Sequence, residues 1–89
     1  MIKKKIFIIN KLGLHARAAA KFVSLAGRFG SNIEVSRENK TVNGKSIMGV
    51  MMLAASKGTE LELTVSGDDE SQALMDLENL INDRFGEAE

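Results

Sequence analysis

The chain has 89 residues, room for one domain over residues 1–89, and a domain of that size buries only about 60 to 65% of the surface its unfolded chain exposes, so its core must be compact and single. Hydrophobic residues at 44% and charged residues at 27% exclude an intrinsically disordered chain, and 12 basic residues balanced by 12 acidic ones leave no global field to draw it to nucleic acid or an anionic membrane. The absence of cysteine excludes disulfides, thiolate nucleophiles and most zinc-site templates together, which suits a reducing compartment.

Lys3-Lys4-Lys5 precede Ile6-Phe7-Ile8-Ile9, an apolar stretch too short for a signal peptide, and no other segment approaches the roughly 20 apolar residues of a membrane span. A cytoplasmic protein without direct membrane insertion is expected. The same β-branched and aromatic run, ended by turn-compatible Asn10 to Gly13, predicts a first strand over about residues 2 to 9. From Ala16 the period changes: Ala16, Ala19, Ala20, Val23, Ala26 and Phe29 recur at three- and four-residue spacing, an amphipathic helix that closes near Gly27 or Gly30.

Asn32 to Ser36 alternates as a strand, Glu38-Asn39-Lys40 turns, and a short partner strand follows around Thr41-Val42. Asn43-Gly44 breaks that run, Ser46 is a good N-cap, and Ile47 to Ala55 reads as a short helix, apolar everywhere but Gly49. Glu60 to Ser66 alternates strictly, with Leu61, Leu63 and Val65 on one face. After Gly67, the acids Asp68-Asp69-Glu70 mark a helix start, Ala73, Leu74, Leu77, Leu80 and Ile81 form its apolar stripe, and Arg84 sits near its end, where the dipole favours a cation. The order is βαββαβα, and helices available for one face of a half-exposed sheet give an α+β sandwich.

The only histidine, His15, falls at the N-cap of the first helix, where unpaired backbone N–H groups make a space that favours an anion. The dipole contributes roughly 0.3 to 1 kcal/mol there, and Arg17 can add a charge-assisted hydrogen bond worth about 1.5 to 3 kcal/mol. A phosphoryl group on His15 would be held. The same positive end disfavours a cationic ring and leaves a ring nitrogen free to attack phosphorus, while Gly13 permits the tight turn that lets the ring stand exposed. Spacing alone leaves a second reading open, in which His15 is only a capping or surface residue. No metal site is expected, because one imidazole without cysteine lacks the three or four ligands of a zinc centre.

The segment after Ser46 is apolar nearly all round, more than a one-layer sheet can cover. Val50 and Leu53 are expected to point inward, and Ile47, Met48 and Met51 outward near Ala20 as a partner-docking patch. The alternative is that the methionines fill gaps in the core. Lys3 to Lys5, with no Tyr or Trp anywhere in the chain, make a poor nucleic-acid platform.

Gly13-Leu14-His15-Ala16-Arg17, with Asn43-Gly44-Lys45-Ser46-Ile47-Met48-Gly49 downstream, resembles the histidine-containing phosphocarrier (HPr) family over the whole chain. The resemblance implies an open-faced β-sandwich, a four-stranded antiparallel sheet covered on one face by three helices. It also implies a carrier, not a stand-alone enzyme, in the bacterial phosphoenolpyruvate-dependent sugar phosphotransferase system. Such a carrier takes a phosphoryl group from enzyme I on Nδ1 of His15, with Arg17 beside it, and passes it to enzyme IIA domains. It uses no cofactor and is expected to be a monomer. Ser46 matches the serine phosphorylated in many bacteria by HPr kinase/phosphorylase, a modification that a helix N-terminus tolerates electrostatically. Ala18 stands where many members have proline, and alanine, the best helix former, serves equally well. A nitrogen-branch carrier, or a noncatalytic regulatory module of the same fold acting through partner binding, is the competing reading.

Overall fold

The register of the strands decides which face of the sheet is covered. The computed structural model describes residues 1–89. Four strands, β1 (Ile2–Phe7), β2 (Asn32–Arg37), β3 (Lys40–Asn43) and β4 (Glu60–Ser66), form one sheet in the order β1-β4-β2-β3 with every neighbour antiparallel. Ile6 lies opposite Leu61, Ile33 opposite Val65, and Val35 opposite both Leu63 and Val42, so one face is a continuous apolar surface. The other face carries Lys3, Lys5, Glu34, Glu62 and Thr64 and is left to solvent.

Helices α1 (Ala16–Ala26), α2 (Ile47–Met52) and α3 (Glu70–Asn82) cover the apolar face, as the sequence pattern requires. The core joins the sheet residues to Ala18, Ala19, Phe22 and Ala26 of α1, Val50 of α2, and Ala73, Leu77 and Ile81 of α3. Lys4, on the covered side of an edge strand, reaches outward to Glu78 of α3 at 2.8 Å instead of entering the core. No helix is long and apolar enough to cross a membrane.

Several expected boundaries move. β1 ends at Phe7, not Ile9, although Ile8 N still donates to the carbonyl oxygen of Thr59, just before the neighbouring β4, at 3.0 Å. The buried stripe of α1 includes Ala18 and Phe22 and leaves Ala16 and Ala20 exposed, because Phe22, its largest side chain, sets which face turns inward. α2 stops three residues before Ala55, since Ala54 takes a left-handed φ of 51°. Its last carbonyls are capped from the β2–β3 hairpin. Arg37 Nη1 donates to Leu53 O at 2.7 Å and Ala54 O at 3.1 Å, and Lys40 Nζ to Met52 O at 3.1 Å.

At the start of α3, Asp69 occupies the N-cap but turns its carboxylate to Gly30 and Ser31, just before β2. Arg84 lies beyond α3, in a 3-10 turn over Arg84–Gly86 whose Phe85 is fully buried. Arg84 and Phe85 have φ of 55° and 54°, so the chain reverses there, and the helix dipole cannot be what places Arg84.

Candidate functional site

The backbone before α1 is pinned from two sides. Gly13 has φ 68°, and a Cβ there would collide with the Ala55 carbonyl oxygen and Ser56 Cα, so glycine lets the two loops touch. Leu14 N donates to Ala55 O at 2.8 Å, and the Leu14 side chain is buried. His15 then enters the N-cap with φ −72° and ψ 176°, and its carbonyl accepts from Ala19 N at 2.9 Å. Its side chain makes no capping bond, which frees the ring for other contacts.

The ring meets the chain's far end. His15 Nε2 lies 2.5 Å from Glu87 Oε2, whereas Nδ1 makes no hydrogen bond within the chain. Glu87 is presented by the turn that buries Phe85, which Lys21 Nζ reinforces by donating to Phe85 O at 2.6 Å. Asn10, itself fully buried, donates Nδ2 to Glu87 Oε1 at 3.0 Å and to Gly13 O at 2.9 Å. The hydrogen bond from His15, then that from Asn10, holds the Glu87 carboxyl below the usual carboxylate range against the opposing pull of desolvation; the charges of His15 and Lys21 act in the same direction as the hydrogen bonds.

Arg17 is exposed, forms no ion pair, and shares with His15 a cleft of about 630 Å³ whose other charged lining residues are Lys11, Glu87 and Glu89. Ala20 is also exposed and lines a separate groove with Arg17, Lys21, Ser24, Leu25, Arg28 and Leu80. Ile47, Met48 and Met51 do not line that groove. They lie on the outer face of α2 with 40%, 70% and 40% exposure, joined by Met52, while Val50 and Leu53 are buried as the periodicity requires. Ser46 caps α2, its Oγ accepting from Gly49 N at 3.1 Å.

Sequence reasoning missed Asn10 and Glu87. Asn10 reads as a turn residue, and nothing in local spacing brings residue 87 to residue 15. The one signal was Phe85: a large apolar side chain past the end of an amphipathic helix needs a place in the core, and burying it carries Glu87 back over α1.

A family model described as the PTS HPr component phosphorylation site matches residues 2–83. The chain belongs to the HPr phosphocarrier family. Phosphocarrier protein HPr of Neisseria meningitidis serogroup A is 56% identical over 89 residues, all of both chains. The crystal structure of HPr-C-His from Thermoanaerobacter tengcongensis superposes with a TM-score of 0.96 at 49% identity over all of both chains. A crystal structure of an HPr dimer from the same organism matches with a TM-score of 0.79 at 50% identity, covering 98% of this chain and 100% of that one. The HPr fold expected from the motifs, the open-faced α+β sandwich, is therefore borne out, and the protein is of the phosphocarrier class of the phosphotransferase system.

Proposed function

We propose that His15 is the phosphoryl acceptor of a sugar phosphotransferase carrier, loaded by phosphorylated enzyme I and discharged to enzyme IIA domains in the cytoplasm. The observation that carries this reading is the division of labour on the imidazole, with Nε2 engaged by Glu87 and Nδ1 without a partner at the N-cap of α1. A nitrogen with an available lone pair beside unpaired helix N–H groups is suited to form a bond to phosphorus and to hold the oxyanions that arrive with it. Arg17, exposed and unpaired in the same cleft, supplies the cation for those oxygens. No metal or cofactor enters the reaction, because the group transferred comes already activated on the donor protein.

The exposed apolar face of α2, with Ile47, Met48 and Met51, is the docking surface in this reading, and Ala20 adds a small contact on α1. Ser46 is its regulatory position: a phosphoryl group on Oγ at the N-cap of α2 would add charge at the rim of that surface, and HPr kinase/phosphorylase is the enzyme the reading implies. A carrier that must meet several partners in turn acts as a monomer here.

The test is intact mass after incubation with phosphoenolpyruvate and enzyme I, alongside H15A. One acid-labile phosphoryl group on the unaltered protein and none on the variant is the expected result. No uptake with an enzyme I from the same organism would overturn the carrier reading in favour of a noncatalytic binding module.

A further inference from the structure

We propose that Glu87, oriented by Asn10, is a positioning residue for phosphoryl transfer: its carboxylate keeps the ring proton of His15 on Nε2 and leaves Nδ1 as the nucleophile. The inference rests on the reading of His15 as phosphoryl acceptor.

The geometry makes Glu87 an oriented group and not a stray surface charge. One carboxylate oxygen faces His15 Nε2 at 2.5 Å and the other accepts from Asn10 at 3.0 Å. Both hydrogens of the Asn10 amide are committed to acceptors, Glu87 Oε1 and the Gly13 carbonyl, so the amide cannot be turned round without facing two acceptors with its own oxygen. Behind Glu87, its N–H donates to Arg84 O at 2.9 Å and Phe85 anchors the turn in the core. The other charged groups of the cleft do not compete for the ring proton. Lys11 and Arg17 are donors, as is Lys21 near Glu87 outside the cleft, and Glu89 is a mostly exposed carboxylate whose partner, at 4.0 Å, is Lys11.

An ionised carboxylate only accepts, so the nitrogen facing it must carry the proton, and the remaining nitrogen keeps its lone pair in the ring plane. In the transfer step that pair forms the Nδ1–P bond while the donor's bond to phosphorus breaks and its electrons leave with the donor. The imidazole, now substituted at Nδ1 and still protonated at Nε2, becomes a cation facing the Glu87 carboxylate. Transfer onward reverses the charge change, and the proton need not leave Nε2 in either direction.

Two variants separate positioning from simple tail anchoring. In E87A the ring loses its acceptor and both tautomers become accessible. In E87Q, Asn10 still donates to the side-chain oxygen, which turns the new NH2 toward Nε2. Nε2 must then accept, and the proton moves to Nδ1, blocking the nucleophile. Ring 15N spectra in mildly alkaline buffer should therefore place the proton on Nε2 in the unaltered protein, on a mixture in E87A, and on Nδ1 in E87Q. The rate of His15 phosphorylation by enzyme I at saturating carrier should fall about 10-fold in E87A and about 100-fold or more in E87Q. Unchanged tautomers, or E87Q transferring as fast as E87A, would overturn the assignment. Absence of phosphoryl uptake by the unaltered protein, with the tautomer changes still present, would instead overturn the carrier reading and leave Glu87 only as the residue that sets the tautomer.

Discussion

Asp69 receives the backbone N–H of Gly30 at 2.9 Å and of Ser31 at 3.0 Å, with the Ser31 hydroxyl as a third donor, so one carboxylate ties the entry of β2 to the start of α3. The Ser31 hydroxyl first, then the Gly30 N–H, holds the Asp69 carboxyl below its ordinary value of 3.8. A group depressed in the folded state contributes stability that is present above its unfolded value and lost as pH falls through the depressed one. D69N should therefore be less stable than the unaltered protein at about pH 7, and the gap should be smaller at about pH 2.5, below the ordinary aspartate value. Urea midpoints at the two values check this, and a gap of constant size would mean that the ionised form carries no advantage.

Arg37 offers a second test of how the fold is closed. Its guanidinium donates to the carbonyls of Leu53 and Ala54, where α2 ends without a glycine. R37A should cost about 1 kcal/mol, below the 1.5 to 3 kcal/mol typical of hydrogen bonds to charged groups because the pair is partly solvated. The loss should be local: hydrogen exchange should rise at Leu53 and Ala54, whose N–H groups bond to Val50 O and Met51 O, ahead of the sheet.

What was legible in the sequence was whatever repeats locally. Strict alternation gave β4 its observed limits at Glu60 and Ser66, and the helical period that begins at Ala16 placed His15 at the N-cap it occupies. Helix limits depended on distant partners and were less readable. α2 was expected to reach Ala55, and it ends at Met52, where cations from another element meet its carbonyls. The face of α1 was ambiguous because alanine at positions 16, 18, 19 and 20 carries little directional information, and Phe22 decides it. Glu87 was invisible for a related reason: its contact with His15 spans 72 residues and depends on burial of Phe85.

Gly13 links the fold to the site. Its left-handed φ and its contact with Ala55 both reject a side chain, so G13A should destabilise the domain by more than about 1 kcal/mol. Because Gly13 O also anchors Asn10, the Asn10–Glu87–His15 arrangement should loosen with it. Chemical denaturation gives the first effect, and displaced ring resonances of His15 in the folded fraction give the second. An alanine variant of full stability would show that the loop can relax away from Ala55.

The outer and inner faces of α2 should respond to substitution in opposite ways. Leu53 is 2% exposed and belongs to the core, so L53A should cost about 2 to 5 kcal/mol of stability. Met48, on the same short segment, is 70% exposed and lies outside the core. M48E should therefore leave stability within about 0.5 kcal/mol of the unaltered protein. If the α2 face receives the phosphoryl donor, a carboxylate there must be desolvated in the complex, which costs binding without touching His15. The expected signature in phosphorylation by enzyme I is a KM raised about 10-fold or more with kcat nearly unchanged, since 1.4 kcal/mol of lost binding corresponds to one decade. A fall in kcat at constant KM would place Met48 near the reacting groups instead, and unchanged kinetics would remove the α2 face from the docking surface for enzyme I.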